Sequence, residues 1–144
     1  SIWYNCVLRA DVSHIVIGAR TNIQDGSVVH CDGEVPGVRA ECPTIIGDDV
    51  LIGHMAMVHG CTIRSRGFIG LGAIIMNGCV VEEEGMLGAG ALLPEGKTIG
   101  KRELWVGRPA KLIRELPEAA LADMRMGVAH YVENGKAHAK AVKK

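Results

Sequence analysis

Aromatic side chains are scarce: Phe, Trp and Tyr together make up 3% of the 144 residues. That argues against a sandwich whose sheets are wedged apart by large rings. Neither sign of charge is in excess, with 16 Lys and Arg against 16 Asp and Glu. A basic surface for nucleic acid is therefore not indicated. No apolar run reaches the length of a membrane span, and no signal peptide is visible. The five cysteines are odd in number and have no regular pairing spacing. They fit a reducing compartment better than a disulfide framework, and the expected location is cytoplasmic. The chain opens at Ser1 without Met, while "SIWYN" already reads as strand, so further sequence is expected before it.

What is present is aliphatic and small. Hydrophobic residues reach 48%, and glycine occurs 19 times. With so few rings, the core must be built from Val, Ile, Leu, Met and Ala. The length suits one domain with a modest core.

The decisive pattern is a period of six. Ile63, Ile69, Ile75, Val81, Leu87, Leu93 and Ile99 follow one another at six-residue steps, and Trp105 is six further on. Two residues before most of them sits a small one: Cys61, Gly67, Ala73, Cys79, Gly85 and Ala91. The same step links Ile46, Ile52 and Val58, then Ile17, Ile23 and Val29, then Ile2 and Leu8. Six is neither the helix period of 3.6 nor the strand period of 2. It suits a triangular coil in which each hexapeptide supplies one short strand and one corner, so a turn takes about eighteen residues. The aliphatic side chains are expected in the core of the prism, and the small residues let the corners close. Coils of this parallel β-helix stack at the strand spacing of ~4.8 Å.

Two interruptions punctuate the coil. Between Val29 and Ile46 lies "CDGEVPGVRAECPT", rich in turn formers, which reads as a loop excursion over 31–44. Between Val58 and Ile63 the step is five, so one residue is missing beside His59 and Gly60. The coil is expected over 1–108 and a separate C-terminal segment over 109–144. From about 117 the apolar spacing turns helical, through Leu121, Met124, Val128, Tyr131 and Val132. Pro117 suits the first helical position, whereas Gly127 and Gly135 weigh against one uninterrupted helix.

The coil assigns the histidines. Ile17, Ile23 and Val29 take faces one, two and three of the prism, and Ile46, Ile52 and Val58 take the same faces one turn later. His30 follows Val29 and His59 follows Val58, so the two are equivalent positions on adjacent coils and point outward. At one strand spacing, two imidazoles can share a metal ion. His54 lies on the preceding face or at its corner, where it could complete the site of a neighbouring prism. Three histidines with a fourth position open is a catalytic zinc ligand set. His14, His130 and His138 have no such partners. Cys31 and Cys42 match no common zinc spacing and read as loop thiols.

These residues give the chain a strong resemblance to the γ-class carbonic anhydrase family of the hexapeptide-repeat superfamily. It rests on "LRAD" at 8–11, "TNIQDGSVVH" at 21–30, "IGHMAMVHGCTI" at 52–63 and "GRPAK" at 107–111. The resemblance implies a left-handed parallel β-helix, a hexapeptide-repeat triangular prism followed by a C-terminal α-helix. It implies a homotrimer with sites at subunit interfaces, His30 and His59 coming from one subunit and His54 from its neighbour. It implies Zn2+, with Fe2+ or Co2+ as other candidate occupants. The implied reaction is reversible hydration of CO2 to bicarbonate, the metal bringing the pKa of water to ~7 so that hydroxide is available.

Further residues match the family one by one. Gln24 matches the residue whose amide orients the metal-bound water. Arg9, Asp11 and Asp25 match the polar interface network, with the alternative that they only hold the trimer together. Tyr131 matches a tyrosine at the helix end near the site. Asn22 is expected to support a corner, since Asn tolerates unusual backbone angles. Two positions depart from the best-studied active pattern: Val12 and Gly33 stand where that pattern has acids tied to proton shuttling. Asp32 and Glu34 are neighbouring acids that could substitute, and Glu133 replaces the tyrosine's companion asparagine, with Asn134 beside it. Other readings stay open: an acyl- or acetyltransferase of the same fold, a metal-stabilised scaffold, or a low-activity relative or thioesterase.

Overall fold

The structure is a computed structural model that describes residues 1–142. The six-residue period folds as a triangular prism, a left-handed parallel β-helix in which every third strand shares a sheet. Face one holds β2 (Ile15–Ile17), β5 (Thr44–Ile46), β8 (Thr62–Ile63), β11 (Val80–Val81) and β14 (Thr98–Ile99). Face two holds β3 (Asn22–Ile23), β6 (Leu51–Ile52), β9 (Phe68–Ile69), β12 (Met86–Leu87) and β15 (Glu103–Gly107). Face three holds β1 (Val7–Leu8), β4 (Val28–His30), β7 (Met57–His59), β10 (Ile74–Ile75) and β13 (Leu92–Leu93).

The register is the one the period requires. Ile17 pairs with Ile46, Ile23 with Ile52, Val29 with Val58, and His30 with His59. Each inward aliphatic from Ile23 through Ile99 is at most 1% exposed, and Cys61, Ala73, Cys79 and Ala91 are buried beside them. Ile2 and Leu8 depart from this expectation, at 49% and 38% exposed. They belong to the first coil, which stacks on a neighbour on one side only. "SIWYN" is also less regular than expected: Ile2 makes an isolated bridge to Ile23, and Tyr4–Asn5 form a turn.

The corners turn the chain through left-handed backbone. At the corner from face two to face three the positive-φ residues are Asn5, Gly26, Met55, Gly72 and Gly90. At the corner from face three to face one they are Gly60, Gly78 and Gly96. The corner from face one to face two uses no glycine at this step: Arg20, Asp49, Arg66, Glu84 and Arg102 stack there, alternating in sign. Asn22 does not take this role. It lies inside β3, fully buried, where Gln24 donates to its side-chain oxygen.

The excursion leaves after His30 and returns at Thr44, folded as a small hairpin with Asp32 opposite Cys42 and Val35 opposite Arg39. Past Trp105 the coil does not simply stop. The chain reverses and β16 (Ala110–Glu115) pairs antiparallel with β15, burying Ala110 against the end of the core. Helix α1 (Glu118–Val142) then runs back over face two, with Leu121 and Val128 buried and Leu51 beneath them. It begins one residue after Pro117, whose carbonyl accepts from Leu121. It continues unbroken through Gly127 and Gly135, because packing of the apolar stripe outweighs the intrinsic cost of two glycines. The expected segment 109–144 ends in two residues that lie outside the described ones.

Candidate metal centre

The histidines sit on the two edges that bound face three. His30 and His59 end β4 and β7, and both are partly buried. His30 Nδ1 lies 2.9 Å from His59 Nε2, with the rings edge to face. His54 occupies the opposite edge, in the turn between β6 and β7, and 43% of its side chain is exposed.

Every one of the three has one ring nitrogen held by an acceptor. His30 Nε2 donates to Asp11 Oδ1 at 3.0 Å. This hydrogen bond, reinforced by Arg9 at 2.5 Å, holds the Asp11 carboxyl below its ordinary range, so it is an ionised acceptor. His54 Nδ1 faces Asp25 Oδ2 at 2.9 Å. His59 Nδ1 faces Asn77 Oδ1 at 2.6 Å, and Asn77 Nδ2 donates to Asp32 Oδ2 at 2.7 Å. Because a carboxylate only accepts, the Asn77 amide must point its oxygen at His59, and His59 must carry its proton on Nδ1.

The other three nitrogens are thereby unprotonated: His30 Nδ1, His59 Nε2 and His54 Nε2. Two lone pairs facing each other at 2.9 Å are repulsive without a cation or proton between them. Ligands on a tetrahedral zinc stand about 3.3 Å apart, a few tenths of an ångström wider. The His30–His59 pair therefore suits a zinc ion, and each of the three histidines has the outer hydrogen bond that a metal-binding histidine needs. Within one chain the set is incomplete: among the described residues, no group of three or more His, Cys, Asp or Glu can hold an ion.

The remaining candidates divide between the same two edges. Arg9 and Asp11 stand with His30 and His59, and Arg9 Nη2 also reaches His30 Nδ1 at 3.5 Å. Gln24, Asp25 and Tyr131 stand with His54. Gln24 is buried and donates to Asn22 Oδ1 at 3.1 Å, so its amide is fixed in orientation. The Tyr131 hydroxyl lies 3.5 Å from His54 Nε2, and burial, with the charge of Asp25, raises its pKa. Tyr131 is thus a neutral O–H at ordinary pH. Asn134 turns away to His130, and His138 meets Tyr4.

Beside His30 a shallow recess is lined by Val12, Asp32, Gly33, Glu34 and Arg39. Its walls include Val12 and Gly33, the two positions without acids. Asp32 does not stand in for them as a free shuttle. Its Oδ2 accepts from both Asn77 and Arg39, and only 19% of the side chain is exposed. Glu34 is exposed and has no such tether among the described residues. Asn77 is the residue the sequence reading passed over. Its signal was the strand register, since Ile75 pairs with Val58 and two residues further on Asn77 falls opposite Gly60.

No family model matches the sequence. Among curated proteins, a carbonic anhydrase of Geobacillus kaustophilus is 43% identical over 136 residues, 94% of this chain and 71% of that protein. Gamma carbonic anhydrase 1 of Arabidopsis thaliana, a mitochondrial protein, is 45% identical over 139 residues. That match covers 96% of this chain but only 50% of the plant protein, so the chain spans about half the length of such relatives. Among solved structures, a hexapeptide transferase family protein from Anaplasma phagocytophilum superposes with a TM-score of 0.87 at 41% identity, covering 95% of this chain and 76% of that one. No helix among the described residues is long and apolar enough to cross a membrane.

Proposed function

Because the chain belongs to the γ-class carbonic anhydrase family, we propose that it catalyses the reversible hydration of CO2 to bicarbonate, at a zinc site shared between copies of itself. The observation that carries this reading is the matched set of three histidines, each with one nitrogen tied to an acceptor and the other unprotonated. His30 and His59 of one copy and His54 of the next would hold the ion; Fe2+ and Co2+ suit the same ligands. When bound, the ion supplies Lewis acidity that brings the pKa of water to about 7.

The chain's own residues do the rest. Asp11 and Asp25 fix the tautomers of His30 and His54, so they are positioning residues. Arg9 adds to the His30 hydrogen bond in holding the Asp11 carboxyl below its ordinary range. Gln24, locked by Asn22, presents its amide at the His54 edge, where it would orient the attacking water. Tyr131 offers a neutral hydroxyl beside the same histidine. With Val12 and Gly33 in the recess and Asp32 tied down, Glu34 is the carboxylate left there to pass protons to solvent, and modest turnover is expected.

The placement of the half-sites supports a homotrimer. The outward residues of face three, Val7, Val28, Met57, Ile74 and Leu92, form an apolar ladder between the two histidine edges. Val7 and Met57 are exposed in the single chain, at 49% and 36%. Parallel prisms around a threefold axis would bring the His54 edge of one copy to the His30 and His59 edge of the next and close the ring.

The test is complementation. CO2 hydration is measured on zinc-loaded and on anaerobic iron-loaded full chain, on His54→Ala and His59→Ala separately, and on the two variants co-assembled. Each variant alone should be inactive, and random co-assembly should restore about a quarter of the sites. Wild-type activity no greater than that of His59→Ala would end the hydration reading. Acetyl-CoA turnover that survives chelation would instead favour a transferase, the description carried by the Anaplasma neighbour.

A further inference from the structure

The mooring of His59 reaches well beyond a single hydrogen bond. Its Nδ1 meets Asn77, Asn77 donates to Asp32, and Asp32 accepts from Arg39 Nη1 at 3.2 Å. Arg39 Nε also donates to the carbonyl of Gly33 at 3.2 Å. Asp32 and Cys42 exchange both backbone hydrogen bonds, at 3.0 and 2.8 Å, at the root of the excursion hairpin. The Cys42 thiol donates to the carbonyl of Gly60 at 2.8 Å. One continuous chain of contacts therefore joins a histidine of the coil to the loop that leaves it.

Room for this chain is made at Gly60. Its φ is +52, and a Cβ there would stand 2.3 Å from Asn77 Oδ1 and 3.0 Å from Cys42 Sγ. The register that pairs Ile75 with Val58 places this glycine where the Asn77 amide must pass. Asn77 is part buried, 45 positions from Asp32 along the chain, and belongs to a different coil from His59.

We propose that Asn77 and Asp32 are positioning residues that hold His59 in the Nδ1–H tautomer, and that through them zinc binding at His59 is coupled to closure of the 31–43 hairpin. This rests on the reading of His59 as a zinc ligand. The amide accepts the His59 proton, and the carboxylate prevents the amide from flipping. A flipped amide would point its N–H groups at Nδ1 and force the proton onto Nε2, the nitrogen needed for the metal. Because the same carboxylate holds Arg39, an ordered hairpin and a correctly protonated His59 support each other, and the coupling is reciprocal.

The experiment titrates Zn2+ into the full chain against a chromophoric chelator and follows trypsin cleavage after Arg39 with and without zinc. Apo-protein unfolding serves as the folding control. Wild type should bind zinc, and zinc should slow the cut. Asn77→Ala should bind about 10–100-fold more weakly, and zinc should no longer protect Arg39. The exchange N77D/D32N swaps amide and carboxylate and keeps an acceptor on His59. It should bring the affinity to within about threefold of wild type, and it carries the test if Asn77→Ala does not fold. A folded Asn77→Ala that binds zinc as wild type does, or a folded exchange that stays tenfold weaker, overturns the proposal. Zinc protection of Arg39 that survives Asn77→Ala overturns the coupling. A wild-type chain that does not bind zinc overturns the metal reading beneath both.

Discussion

The corner from face three to face one and the corner from face one to face two turn the backbone in the same left-handed way, with different residues. Gly60, Gly78 and Gly96 make the first, and Arg20, Asp49, Arg66, Glu84 and Arg102 make the second. A side chain in this conformation costs on the order of 1–2 kcal/mol. The charged corner offsets that cost with partners. Arg20 grips Asp49 with two bonds, at 2.6 and 2.7 Å, and buried Glu84 accepts from Arg66, Arg102 and the helix residue Arg125. Arg66 and Glu83 pair beside it, and Glu118 of α1 joins Arg125. The glycine corner has no such ladder, and its empty volume admits Asn77 beneath His59. One corner thus fastens the helix to the prism, and the other makes space for the candidate site. At the charged corner the conformational cost is answered by ion pairs and hydrogen bonds.

The largest expected effect breaks the charged corner. Glu84→Ala leaves three guanidinium groups without their shared acceptor. Losing one partner of a fully buried pair costs 3–5 kcal/mol, but these arginines reach water, so about 2–3 kcal/mol is expected from urea unfolding at neutral pH. A loss under about 0.5 kcal/mol would show the ladder to be decorative.

Next comes a matched pair at glycine corners. Gly60 and Gly90 share the left-handed region, but a Cβ at Gly90 meets nothing within 4 Å. Gly90→Ala should therefore report the backbone cost alone, about 1 kcal/mol. Gly60→Ala should add the displaced Asn77 amide and reach about 2 kcal/mol or more. Equal losses would mean that the space beside Asn77 carries no energetic weight.

The smallest effect is in pH. The Arg20 fork holds the Asp49 carboxyl below its ordinary range. Its folded pKa lies below its unfolded one, so the pair stabilises above the unfolded value, ~3.9, and that stability disappears as pH falls through the folded value. Wild type should exceed Asp49→Asn by under 1 kcal/mol at pH 6, with the difference shrinking toward zero in strong acid. A difference that grows on acidification would reverse the assignment.

Much of this was legible along the chain. The hexapeptide step fixed which residues are inside, because a narrow prism accepts one branched aliphatic per strand and little else. It also fixed the equivalence of His30 and His59, since stacking follows from counting residues. The same counting failed for Ile2 and Leu8, where the period is present but no coil lies on one side to bury them. Helix propensity misjudged Gly127 and Gly135, because face two supplies packing that a single-residue preference does not contain. Asn22 carried a turn-forming side chain into a strand, where burial and the Gln24 amide hold it.

The sequence by itself determined the coil, its register and the residue types that could bind a metal, because all three depend on spacing alone. Only the tertiary structure decided which nitrogen of each histidine is unprotonated. That depends on acceptors brought from elsewhere in the chain: Asp11 from the first coil, Asp25 from the coil before His54, and Asn77 from the coil after His59. Spacing within a repeat is local and can be counted, whereas the direction of a proton is set by whatever folding places opposite it.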